Sequence, residues 1–186
     1  MVLPVYVYGM PVLRKKAREI EPDYEGLDQL IDDMFETMYF SDGVGLAAPQ
    51  IGKSIRLIVI DATEIEDESD PSLKDFKIVL INPRILEEEG EKWEFNEGCL
   101  SLPNIREEVY RQSTIRLEYY DRDFNRHEEE FDGVKARIIQ HEVDHLEGIL
   151  FIDKIAPIRK RLLQKKLKEI SKGQAEINYK IIHPKK

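Results

Sequence analysis

The chain has 186 residues, of which 41% are hydrophobic and 35% charged, with a net charge of −9 and a single cysteine. These figures describe a soluble globular domain large enough to bury a core, and they exclude an internal disulfide framework. No apolar run approaches the ~20 residues of a membrane span. Charge is unevenly spread: residues 150–186 hold eleven Lys/Arg against three Asp/Glu, whereas residues 1–149 hold 17 against 34. A basic tail on an acidic body predicts a partner for the tail. The opening "MVLPVYVYGMPVLRKK" lacks the basic, apolar, small-residue order of a signal peptide, which predicts a cytoplasmic protein.

In chain order, "GMPVLRKKA" reads as a turn with Gly9 and Pro11. Leu27, Leu30, Ile31, Met34, Phe35 and Met38 recur at helical spacing and predict an amphipathic helix. The glycines at 43, 45 and 52 mark a loop. "IRLIVID" (55–61) and "KIVLIN" (77–82) are β-branched apolar runs and predict strands. The acidic, proline-containing stretch 62–76 between them predicts a mobile loop. "EKWEF" (91–95) and "STIRLEYYD" (113–121) predict further strands, and "DRDFNR" turns the chain into "HEEEF" as a hairpin. "DGVKARIIQHEVDHLEG" is then a helix, with Asp132 as its cap and Gly148 as its stop. A basic helix begins near Pro157, with Ile158, Leu162, Leu163, Leu167 and Ile170 as a docking stripe. "INYKIIHPKK" reads either as a short strand or as a disordered tail. Strands and helices are segregated, which predicts an α+β fold with mostly antiparallel β-sheets around a central metal-binding helix, and a C-terminal helix.

The stretch "QHEVDHLEG" (140–148) carries the chemistry. Val134, Ile138, His141 and His145 are spaced by 4, 3 and 4, so both imidazoles leave one helix face. Two histidines so arranged suit a metal, with Glu142 placed to serve a metal-bound water. A catalytic site needs a third protein ligand and an open position. Zinc peptidases with this pattern take the ligand downstream, but here Phe151 cannot ligate and His183 lies far off. Glu169 and Glu176 qualify by distance alone. Cys99, upstream in "NEGCLSLP", offers a thiolate, a strong ligand for zinc or ferrous iron.

"GVGLAAPQIG" (43–52), "EGCLS" (97–101) and "QHEVDHLEG" (140–148) resemble the three motifs of the bacterial peptide deformylases, complete and in order. "LPVYVYGMPVLRKKA" is similar to that family's start, and the likeness runs from residue 3 to about 155. The resemblance implies a catalytic domain at 1–155, with 156–186 as a basic C-terminal helical extension and tail. It implies removal of the formyl group from the N-terminal formyl-methionine of newly synthesised proteins. Cys99, His141 and His145 would hold the metal, Fe²⁺ in the cell, with Ni²⁺, Co²⁺ or Zn²⁺ able to occupy the site; the residues alone suggest zinc. Metal-bound hydroxide would attack the formyl carbon, with Glu142 as acid and base. The Gln50 amide and the Leu100 backbone N–H would meet the oxyanion. Gly45 and Gly98 would admit an extended substrate, Val44, Val134 and Ile138 would line the methionine pocket, and Arg106 would meet downstream backbone. Glu97 and Asp144 would orient their neighbours.

The implied partners are nascent formyl-methionyl polypeptides, and the ribosome through the basic C-terminal helix; neither DNA nor a membrane is expected, and a monomer is. Two other readings compete. A zinc endopeptidase would rest on HExxH alone and be indifferent to Cys99. A binding protein that has lost its activity would have no use for Glu142.

Overall fold

In the computed structural model, which describes residues 1–185, the elements run β1 (Val5–Tyr6), α1 (Leu27–Phe40), β2 (Gly45–Ala47), β3 (Leu57–Asp61), β4 (Lys77–Cys99) and β5 (Leu102–Tyr120). They continue with β6 (Arg126–Asp132), α2 (Gly133–Leu146), α3 (Pro157–Leu162), α4 (Gln164–Ser171) and β7 (Ile181–Ile182). Strands β2 to β6 form one antiparallel sheet in sequence order, and β1 pairs with β7 in parallel. The fold is α+β, as the segregation of strands and helices predicts. Among the described residues, no helix is long and apolar enough to cross a membrane.

Strand β3 explains why the sheet needs helices on both sides. Successive side chains leave a strand on opposite faces. Leu57 and Val59 pack into a cluster with the α1 residues Ile31, Met34 and Met38. Ile58 and Ile60 pack on the other face with the α2 residues Ala136, Ile139, Val143 and Leu146. All four strand residues are fully buried, which is why "LIVI" reads as a continuous apolar run. Helix α2 is thus anchored by one face, and its other face carries the histidines.

The two central strands are much longer than 91–95 and 113–121. β4 spans 23 residues and β5 spans 19, joined by a tight turn after Cys99. Between the two predicted strands 77–82 and 91–95, residues 83–90 are mostly polar, so hydrophobic patterning does not reveal that they are one strand; backbone pairing with β5 sustains it. The register shifts four times, including at Gly98/Cys99. Such bulges bend a hairpin and re-aim its side chains. A third cluster packs Leu102, Ile105 and Val109 of β5 against Phe151, Leu163, Leu167 and Ile170.

Several local expectations are modified. Asp132 stands at the N-cap of α2, but its side chain makes no capping bond. Gly148 does end that helix: it is left-handed at φ 74°, with Ile149 N–H bonded to the Asp144 carbonyl at 2.9 Å. A Cβ there would lie 2.7 Å from the Arg14 carbonyl oxygen, so only glycine fits. The 62–76 loop carries a 3₁₀ turn at Pro71–Asp75, anchored by fully buried Leu73. The basic helix is two short helices, α3 and α4. Its apolar stripe is divided: Leu163, Leu167 and Ile170 are core, while Ile158 and Leu162 are 60% and 64% exposed. Of the tail, Ile181–Ile182 forms a strand, and Lys186 lies outside the described residues.

Candidate active site

Two rigid elements bring the chemistry together. Helix α2 presents His141, Glu142 and His145, and the end of β4 delivers Cys99. One ligand atom from each of Cys99, His141 and His145 lies within 4.8 Å of the others. The Cys99 Sγ is 3.3 Å from His145 Nε2. No other group of three or more such donors occurs among the described residues. Glu169 and Glu176 therefore have no place in it.

The orientation of His141 is set by Glu97. His141 Nδ1 bonds Glu97 Oε1 at 2.8 Å, leaving Nε2 for the site. A carboxylate behind a histidine fixes its tautomer and raises its basicity as a ligand. Phe151, at the position a peptidase would use for a third histidine, is buried and stacks on the His141 ring at 5.9 Å. Its part here is packing.

Glu97 is itself held by two buried arginines. Arg111 donates to it twice, at 2.7 and 2.9 Å, and Arg137 once at 2.8 Å. A third bond joins Arg111 to Asp144 at 2.7 Å. Arg137 also donates to the carbonyls of Val109 and Trp93 and lies over the Trp93 ring at 4.8 Å. Burial works against the Glu97 charge, but the His141 and Arg111 bonds outweigh it and hold the carboxyl far below the usual range. Glu97→Gln would strip that charge from two buried guanidinium groups. Breaking a buried network this way costs roughly 3–5 kcal/mol, which urea unfolding will read as a lower midpoint at unchanged slope.

The remaining titratable groups suit a cation. Burial holds His145 well below its ordinary pKa, aided by the nearby His141 charge, so it is a neutral imidazole. Burial also opposes charge on His141, but its bonds with Cys99 and Glu97 raise it well above the ordinary value. Binding of a cation here is therefore linked to proton release. Burial pushes the Glu142 carboxyl up to about 7, the His141 and Arg111 charges opposing only in part. One Glu142 oxygen and His145 Nδ1 are buried without hydrogen-bond partners among the described residues. Two imidazoles and a thiolate fit a zinc or ferrous ion with one coordination position left open.

A cavity of about 750 Å³ runs beside these groups. The expected residues Val44, Gly45, Gln50, Gly98, Leu100, Arg106, Val134 and Ile138 all line it. The Gln50 carboxamide is fixed at both ends: its oxygen accepts from Ala47 N–H at 2.9 Å, and its nitrogen faces Cys99 Sγ at 3.4 Å and Ser101 Oγ at 3.2 Å. Leu100 N–H has no hydrogen bond among the described residues. Arg106 folds back on Asn96, donating at 2.6 and 2.8 Å.

Each of the two glycines also makes room for a neighbouring side chain. A Cβ on Gly45 would sit 2.6 Å from Glu142 Oε1, and one on Gly98 2.6 Å from an Arg106 nitrogen. The room they leave is filled by the protein's own side chains. Sequence reasoning missed Arg111 and Ser101, which hold Glu97 and Gln50, as well as Arg137 and the tail residues 177–179, which line the cavity. Arg137 alone had a signal, standing one helical turn before His141 on the same face.

A model of the Polypeptide deformylase family matches residues 2–161. The chain belongs to that family. A peptide deformylase of Flavobacterium johnsoniae is 52% identical over 187 residues, covering 97% of this chain and 95% of the relative. One from Flavobacterium psychrophilum is 51% identical over 193 residues, with both chains fully covered. A crystal structure of a peptide deformylase from Legionella pneumophila superposes with a TM-score of 0.80 at 37% identity, covering 96% of this chain and all of that one. The deformylase is thus a hydrolase that removes the N-terminal formyl group from nascent proteins, and it carries a Cys/His/His cluster able to bind the metal on which the family depends.

Proposed function

We propose that deformylation takes place at the Cys99, His141 and His145 cluster, with Glu142 as the proton carrier. The convergence of those three donors beside a buried Glu142 oxygen that has no partner among the described residues is the observation that carries this reading. The metal is Fe²⁺, with Ni²⁺, Co²⁺ or Zn²⁺ able to take its place; the motif resemblance supports iron, while the donor set by itself suits zinc as well. When bound, it supplies Lewis acidity and lowers the pKa of a water toward neutrality.

The chain's own groups do the rest. Glu142 accepts a proton from the attacking water and returns it to the leaving amine nitrogen. Gln50 Nε2 and Leu100 N–H donate to the formyl oxygen as it gains charge, and the Ala47 bond orients the Gln50 amide for this. Val44, Val134 and Ile138 take the methionine side chain, backbone at Gly45 and Gly98 pairs with the extended substrate, and Arg106 meets its downstream residues. Formate release from a formyl-methionyl tripeptide tests the reading. It should be abolished by a chelator and restored by Fe²⁺ or Ni²⁺. Cleavage of internal peptide bonds instead would overturn it in favour of an endopeptidase.

The catalytic body is 1–155 and the extension 156–186; the protein works in the cytoplasm as a monomer. The extension contacts ribosomal RNA through its cations. Arg161, Lys165, Lys166, Lys168 and Lys172 have no ion pair among the described residues, whereas Arg159 pairs with Glu107 and Lys160 with Asp153. Deleting the extension would also remove core residues Leu163, Leu167 and Ile170, so charge reversal is the cleaner test. Lys165→Glu with Lys166→Glu and Lys168→Glu should weaken ribosome binding and flatten its salt dependence by about 2–3 in log–log slope. Unchanged binding in co-sedimentation would reject the contact.

A further inference from the structure

Beyond α4 the chain returns to the active site. Its end pairs with its beginning: Val5 lies opposite Ile181 and Tyr6 opposite Ile182. Val5 N–H bonds the Lys180 carbonyl at 2.9 Å, and Val7 N–H bonds that of Ile182 at 3.0 Å. Between α4 and this strand, Glu176, Ile177, Asn178 and Tyr179 form part of the wall of the cavity that holds Cys99 and Glu142. This segment lies beyond residues 2–161, the stretch that the family model matches.

Two side-chain bonds fasten the segment to the hairpin carrying Cys99. Asn104 Nδ2 donates to the Glu176 carbonyl at 3.0 Å. The Tyr179 hydroxyl donates to the Leu100 carbonyl at 2.8 Å. Tyr8 N–H, just past β1, donates to the next carbonyl, that of Ser101, at 2.9 Å. Two successive carbonyls of the turn are therefore gripped from two segments that are themselves strand-paired. A carbonyl oxygen only accepts, so the Tyr179 bond depends wholly on its hydroxyl proton.

We propose that residues 174–182 are a strap that holds the Cys99–Ser101 turn in its working position, with Tyr179 as a positioning residue for deformylation. Fixing the Leu100 carbonyl restrains rotation about the Leu100 Cα, and the N–H on the other side of that Cα is the one aimed at the formyl oxygen. The inference rests on the proposed role of that N–H. The donor must be in place before charge develops, because a preorganised donor costs no reorganisation during the reaction.

Tyr179→Phe tests it in the full-length, metal-loaded enzyme, since it keeps the ring in the cavity wall and removes only the hydroxyl. The expected result is a fall in kcat of about tenfold, within what a small misplacement of a catalytic group costs, with KM nearly unchanged. Hydrogen exchange of the 97–104 peptide should rise in both metal-loaded and metal-free protein. Wild-type kcat or wild-type exchange in that peptide would overturn the proposal. So would a lowered melting temperature with kcat of the folded enzyme unchanged, the signature of a brace with no bearing on the chemistry. The wild-type protein run alongside separates the two readings: if it releases no formate, the assignment of the site fails, while the exchange data still judge the strap.

Discussion

Cys99→Ala will purify without stoichiometric metal and release formate at least about 10³-fold more slowly, because a water with no metal returns from a pKa near 7 toward ~15.7. The thiolate is one of only three donors in the cluster, and no fourth protein donor joins it among the described residues. Two histidines alone leave a site too weak to retain the ion through purification. The fold should survive, since Cys99 lies at the end of β4 and is only partly buried. Elemental analysis and formate release together check the result. A protein that keeps its metal and most of its rate would mean that the third ligand is another residue, and the proposed site would be wrong.

Glu142→Gln should keep the metal and still lose about 10²–10⁴ in kcat, the usual contribution of a positioned acid–base group. Glutamine is nearly isosteric, so the close approach to Gly45 is preserved. The loss therefore reports proton transfer and not packing. In the wild type, Glu142 must be ionised to accept the water's proton, so kcat/KM should fall on the acid side. The midpoint lies at or below the value of about 7 to which burial raises the carboxyl, because a bound cation favours the ionised form. The residual activity of the variant should lack that limb. Stability of the metal-free protein should move the other way. A carboxyl raised from 4.5 to about 7 by folding binds more protons in the folded state than in the unfolded one. Stability consequently declines as pH rises through that window, by up to about 1.4 kcal/mol per unit. Glu142→Gln removes this penalty. The metal-free variant should therefore outlast the metal-free wild type in urea at pH 8, with the gap closing toward pH 4.5. An equal midpoint at both pH values would show that the carboxyl is not raised.

Much of the fold was legible because it rests on local periodicity. The 3.6-residue spacing from Leu27 to Met38 marks α1, and the alternation of Ile115, Leu117 and Tyr119 marks the second half of β5. The middle of β4 was not legible, since residues such as Glu87, Glu88 and Glu89 carry no apolar period. What stabilises them is pairing with β5, a partner named by topology and not by composition.

The candidate site divides the same way. His141 and His145 sit four apart on one helix, so their shared face follows from helical geometry alone, with Glu142 beside them, and the motif around Cys99 pointed to a thiolate. Only the tertiary structure decided that Cys99 Sγ stands 3.3 Å from a nitrogen 46 residues later in the chain. It alone joined Glu97 to His141 across 44 residues and Leu100 to Tyr179 across 79. The difference has one physical cause. A side chain's direction along a helix or strand is set by its own backbone and can be counted from sequence. The meeting of distant groups is set by how the β4–β5 hairpin bends at its bulges and how the two ends of the chain pair, and no local pattern encodes either.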